Sequence, residues 1–326
     1  MLQTTGTPLL YVVFGVIVGI LLVIDLWQLN KQGSHKISAK EAGSWVGVWV
    51  VAALAFGAWY WWYLDGVHGR AIANEHALEY LTGYLLEMAL AADNVFVWVT
   101  LFTFFAVPIE FQKRVLVYGL LGAVIMRAIM IFVGAVLIAK FHWILYVFGL
   151  ILVVSGLKMW FASPDSSNLA ENRLLQWLRG HIRMVDDYHG DRFFIVKNGI
   201  RYATPLFIVV IFVELTDLIF AVDSIPAVFA VTQDPFVVFT SNIFAILCLR
   251  SMYFLLKELA DRFHLLHYGL AVILVFIGVK MLVVEVYKIP IGIALGVVAA
   301  VLASSVIASL YTSRKHGTSP PSEVKL

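Results

Sequence analysis

Residues 202–231 read YATPLFIVVIFVELTDLIFAVDSIPAVFAV, thirty residues in which Glu214, Asp217 and Asp223 are the only charges. About 20 apolar residues suffice to cross a ~30 Å hydrocarbon core as a helix. Yet each carboxylate costs roughly 2.5–3.5 kcal/mol at the centre of such a helix on insertion scales. A stretch greasy enough to enter lipid and too acidic to face it must turn its acids toward protein. It therefore predicts one helix of a multi-helix membrane bundle.

The rest of the chain agrees. Hydrophobic residues make up 61% of the 326 and charged residues 13%, against about 25% charged in soluble domains. Such a chain could not cover a water-soluble surface, and a net charge of +2 gives no nucleic-acid footprint. Cys248 is the single cysteine, which leaves no disulfide framework and no thiolate metal site. Eight further apolar stretches, at 8–29, 42–64, 77–105, 115–139, 143–161, 236–256, 268–286 and 289–311, bring the expected number of spans to nine. The first lacks a basic n-region and a small-residue cleavage site, so it reads as an ordinary helix rather than a signal peptide.

Lysine and arginine set the expected orientation. With the N-terminus outside, seventeen of the 23 fall on the cytoplasmic side and only Arg70, Lys140 and Lys288 outside. The remaining three, Arg127, Arg250 and Lys280, lie within spans. The chain is thus expected to be a single integral membrane domain, 1–326, with its N-terminus outside and its C-terminus in the cytoplasm. The long segment 162–201 would be cytoplasmic. It reads as a helix on the lipid surface (Leu174, Leu175, Trp177, Leu178) followed by an acidic stretch (Asp186, Asp187, Asp191). The Pro-containing end, 312–326, reads as a disordered tail.

Two stretches resemble each other in order. Asp93-Asn94 matches Asp223-Ser224, and Glu87 and Asp217 each lie six residues before the aspartate. Further on, Arg127 matches Arg250, and Gly156-Leu157-Lys158-Met159 matches Gly278-Val279-Lys280-Met281. Each copy, 77–161 and 202–286, holds three spans, and an odd number inverts the second copy in the membrane. Transporters built from inverted repeats place substrate sites at the repeat interface near the midplane.

The third and sixth spans hold five acids, Glu87, Asp93, Glu214, Asp217 and Asp223. Arg127 and Arg250 could neutralise two, and a bound cation is the natural partner for the rest. Asn94 and Ser224 add neutral oxygens at matching positions. Glu214 and Asp217 share a helix face, whereas Asp223, nine residues from Glu214, points the opposite way. Pro226 deprives the Val222 carbonyl of its helical donor, so an unwound turn at 222–225 is expected to supply backbone oxygens beside Asp223. Asp93 and Asp223 are expected to meet as central ligands. Asp25, near the cytoplasmic end of the first span, and Asn242 in the seventh are supporting candidates. None of the nine histidines lies mid-span in these two helices, and an all-oxygen set suits Mg, Ca or Mn rather than Zn or Cu. The residues thus read as a pathway for a hard divalent cation, with protons competing for the same oxygens.

The stretches from Glu87 through Asp93-Asn94, from Glu214 through Asp217 and Asp223 to Pro226, and from Thr240 through Asn242 to Arg250 resemble the TerC family. The match from about residue 6 to 311 is similar to its Alx-type branch. The resemblance implies an inner-membrane manganese exporter of the LysE-like transporter group, with Glu87, Asp93, Glu214, Asp217 and Asp223 as essential acids. Its expected partners are Mn(II), protons and the lipid bilayer, with no cofactor and no enzymatic activity. Two alternatives remain open. One is a membrane factor that passes manganese to secreted proteins through a partner. The other is an intramembrane aspartyl protease using Asp93 and Asp223, although neither a Tyr-Asp nor a Gly-x-Gly-Asp motif surrounds them.

Overall fold

The computed structural model describes residues 4–32, 38–141, 143–161, 182–185, 187–259, 265–287 and 289–315. They form nine α-helices: α1 (Pro8–Gln32), α2 (Ala39–His68), α3 (Arg70–Phe104), α4 (Ile109–Lys140), α5 (Ile144–Phe161), α6 (Pro205–Phe229), α7 (Pro235–Leu259), α8 (Leu266–Leu282) and α9 (Ile291–Lys315). A single hairpin, β1 (Phe194–Lys197) and β2 (Ile200–Ala203), lies between α5 and α6. The protein is an all-α polytopic membrane protein, and each of the nine apolar stretches coincides with a helix. Seven helices among the described residues are long and apolar enough to cross a membrane. The apolar parts of the other two, Pro8–Ile24 and Leu266–Leu282, are shorter. At 1.5 Å per residue, 17 residues give only about 25 Å, the short end of the spanning range.

Local chemistry fixes the helix ends. The Ser38 hydroxyl caps α2 by accepting from the Glu41 amide at 3.3 Å. Gly69, at φ +87°, turns α2 sharply into α3, a conformation that a side chain would resist. Thr204 precedes α6, and Pro205 occupies its first turn, where a missing N–H is harmless.

The bundle is organised around α7. Its apolar window is 94% buried, against 11% for α9, and it packs on α1, α2, α3 and α4. Phe14 of α1 and Phe56 of α2 close on Phe236 and Phe244 of α7 through edge-to-face and tilted ring contacts.

On the other side, α5 and α8 cross antiparallel on glycine. A Cβ on Gly278 would stand 2.7 Å from the Gly149 carbonyl oxygen and 2.8 Å from the Val153 amide nitrogen. A Cβ on Gly156 would stand 2.8 Å from the Ala271 carbonyl oxygen and 3.0 Å from the Val275 amide nitrogen. Moving the contact 149/278 by the repeat offset returns the contact 156/271. The crossing is therefore reciprocal, as a pseudo-two-fold axis between α5 and α8 requires.

Several expectations need correction. The turn at 222–225 is not unwound, since α6 runs unbroken through Pro226 to Phe229. Pro226 removes one helical donor without breaking the helix, and residues 224–229 pack against the rest of the bundle. Val222 keeps its helical backbone and turns its side chain outward, 45% exposed. The described part of 162–201 forms the hairpin, with Asn198 and Gly199 at φ +53° and +75° as its two-residue turn. The surface-helix residues 174–178 lie outside the described residues. The C-terminal helix reaches Lys315, so residues 312–315 are helical rather than tail.

Candidate functional site

Helical arithmetic places the site. Glu87 and Asn94 are seven residues apart on α3, as are Asp217 and Ser224 on α6, so each pair shares a stripe about two turns long. The two helices pack against each other. Across them Asn94 Nδ2 donates to Asp217 Oδ1 at 3.2 Å. One rung away, Glu87 and Ser224 are joined through a shared donor, Nη1 of Arg127 on α4. The rungs 87/224 and 94/217 are themselves related by the repeat offset, repeating the reciprocity seen between α5 and α8.

Arg127 ties both rungs together. Its Nη1 donates to Glu87 Oε1, to Ser224 Oγ at 2.7 Å and to Asn242 Oδ1 of α7 at 3.4 Å. Its Nη2 donates to Asp217 Oδ1 at 3.4 Å. Glu87, Asn94, Arg127, Asp217, Ser224 and Asn242 are all buried. Two carboxylates thus face one guanidinium in a desolvated site. Their second oxygens, Glu87 Oε2 and Asp217 Oδ2, and the Asn94 amide oxygen have no hydrogen-bond partner among the described residues. Buried acceptors left in this state are costly, and all three belong to the hard-oxygen class that binds Mg, Ca or Mn.

The other acids lie apart from this cluster. Glu214 is half-buried against α4, where its carboxylate fills the space that a Cβ on Gly122 would take, 2.0 Å from Oε1. Asp223 is half-buried and accepts from the Ser155 hydroxyl of α5 at 2.7 Å. The opposed faces expected for Glu214 and Asp223 are thus observed, one directed to α4 and the other to α5. Asp223 is held by α5, and its expected pairing with the Asp93 side chain falls outside the described residues. The register of the two rungs sets the midpoint between equivalent positions on α3 and α6 near residues 90 and 220. Arg250 is buried within α7. The side chains of Asp93 and Asp25 lie outside the described residues. Among the described residues no group of three or more His, Cys, Asp or Glu side chains is placed to hold a metal ion. The cluster's oxygens come instead from two acids, two amides and a hydroxyl.

Gly122 and Ser155 adjoin Glu214 and Asp223 without being among the residues expected from the sequence. Ser155 directly precedes the repeated Gly156-Leu-Lys-Met motif, which is the signal that could have marked it. Gly122 carries no such signal.

The fold and this cluster define a polytopic membrane protein with an internal ionisable site. The profile described as "Integral membrane protein TerC family" matches residues 72–317. The chain belongs to the TerC family. It is 55% identical over 315 residues to "Putative membrane-bound redox modulator Alx" of Escherichia coli strain K12, covering 97% of this chain and 98% of that one. The protein of the same name in Photorhabdus laumondii is 49% identical over 317 residues, 97% and 99% of the two chains. "Uncharacterized membrane protein STKORF319" of Myxococcus xanthus is 42% identical over 316 residues, 97% and 96%. No solved structure matches the chain.

Proposed function

We propose that this protein is an inner-membrane transporter that exports manganese(II), with protons as the coupling ion. The observation that carries the reading is the buried cluster of Glu87, Asn94 and Asp217. It sets two carboxylates against a single arginine and leaves three oxygens, Glu87 Oε2, Asn94 Oδ1 and Asp217 Oδ2, without a hydrogen-bond partner among the described residues. Charge inside a membrane is retained where it serves an ion path, and the donor chemistry selects a hard divalent cation. Export and manganese in particular follow the family resemblance. Glu214 and Asp223 lie to either side of the cluster on α6 and extend the acidic path.

The relatives' name favours a second reading, a redox role. The chain has one cysteine, Cys248, buried in α7, so a dithiol exchange within one chain has no chemistry to run on. A redox effect reached through manganese supply to other proteins fits the same site. Cellular manganese measured with and without expression tests the main reading. Expression should lower cellular manganese and raise resistance to the added ion, and Glu87→Gln or Asp217→Asn at equal protein level should abolish both effects. Unchanged manganese on expression of the parent protein would favour the supply role over export.

A further inference from the structure

We propose that Arg127 is a tethered counter-cation that occupies the ion site and is displaced by the metal, and this inference rests on the transport reading. The argument begins with stoichiometry. A structural ion pair needs one acid for one arginine, whereas Arg127 contacts both Glu87 and Asp217. With all three groups ionised the cluster carries one excess negative charge, and one oxygen of each carboxylate lacks a partner among the described residues. Two carboxylates match a divalent ion. A divalent ion added beside the arginine would leave an excess positive charge in the same desolvated space, so the two cations exclude each other.

The arginine is held by Glu87 and only loosely by Asp217. Charge-assisted N–H···O bonds run near 2.7–2.9 Å, while Nη2 stands 3.4 Å from Asp217. Ser224 Oγ at 2.7 Å and Asn242 Oδ1 at 3.4 Å are neutral acceptors for the same guanidinium. They can hold it when the carboxylates turn to the metal. Arg127 also reaches the site from α4, while the two acids belong to α3 and α6. Its departure therefore removes a tie between the two inverted halves, and its return restores it. The empty carrier never exposes two bare carboxylates to the bilayer interior.

Competition has a signature that a structural role lacks. Removing a structural arginine weakens the site, whereas removing a competitor strengthens it. Binding of Mn(II) alone would be measured by calorimetry on the full-length protein in lipid nanodiscs for the parent, Arg127→Gln and Arg127→Lys. Arg127→Gln should bind roughly tenfold more tightly or better, since it forfeits charged hydrogen bonds that the metal must otherwise break, and it should export more slowly. Lysine keeps the charge but not the planar fork, so Arg127→Lys should fall between the two. It also serves as the decisive variant should glutamine prevent folding. If the parent binds Mn(II) and neither folded variant binds it more tightly, this inference fails and the transport reading stands. If none of the three binds it, both fail.

Discussion

Gly122 matters for what it leaves out. A methyl group there would stand 2.0 Å from Glu214 Oε1, and the carboxylate, at the free end of a flexible side chain, would have to swing away. Gly122→Ala should therefore give a folded protein at normal level whose export falls as far as that of Glu214→Gln, although every acid is intact. Normal export by Gly122→Ala would show that the seat of Glu214 against α4 is no part of the path. Membrane energetics makes residues such as Glu214, Glu87 and Asp217 legible in the sequence, because an acid in a thirty-residue apolar stretch demands a reason. Register is not legible in the same way. Whether Asn94 meets Asp217 or Asp93 meets Asp223 depends on where the axis between α3 and α6 passes, and no single helix encodes that level.

Among the elements, the α5–α8 crossing is the most sensitive to a single atom. Gly149 and Gly278 bring backbone against backbone, and in a bilayer such close approach is a principal source of helix association. Gly156→Ala and Gly278→Ala, equivalent positions of the two repeats, each add a methyl group within 3.0 Å of the facing carbonyl oxygen, that of Ala271 and of Gly149 respectively. Overpacking of this kind costs about 1–3 kcal/mol. Reciprocity makes the two costs similar. Thermal unfolding in detergent should show comparable losses for both, and a large loss for one alone would argue against a symmetric crossing. The repeated Gly156 and Gly278 motifs announce this interface in the sequence. The hairpin has its own signal in Asn198-Gly199, a two-residue turn pair set among charged residues rather than between apolar runs. The aromatic run Trp59–Tyr63 reads by composition as a belt at the lipid boundary. Tyr60 is instead fully buried and bonded to the Thr5 hydroxyl, while Trp62 alone among the five faces outward at 67% exposure.

For the molecule as a whole, the seventeen-to-three distribution of lysine and arginine predicts a periplasmic N-terminus and a cytoplasmic segment 162–201. Reporter fusions at that segment should be active only as cytoplasmic reporters, and a periplasmic signal there would reverse the orientation. Nine helices are readable from the hydrophobic runs, seven of them long and apolar enough among the described residues to cross a membrane, and the ordered match of polar residues marks the repeat. The central position of α7 is not readable in this way. Its run of Thr240, Ser241 and Asn242 dilutes its apolar character, and only the packing shows that these groups face protein on every side.

That enclosure carries a consequence for how the protein is made. A helix holding Thr240, Ser241, Asn242, Arg250 and Ser251 is a poor candidate to partition into lipid alone. Yet α1, α2, α3 and α4, the helices that surround it, all precede it in the chain. By the time the ribosome delivers α7 to the translocon, the groove that will receive it has already been synthesised. The lipid-facing α9, which needs no such reception, comes last.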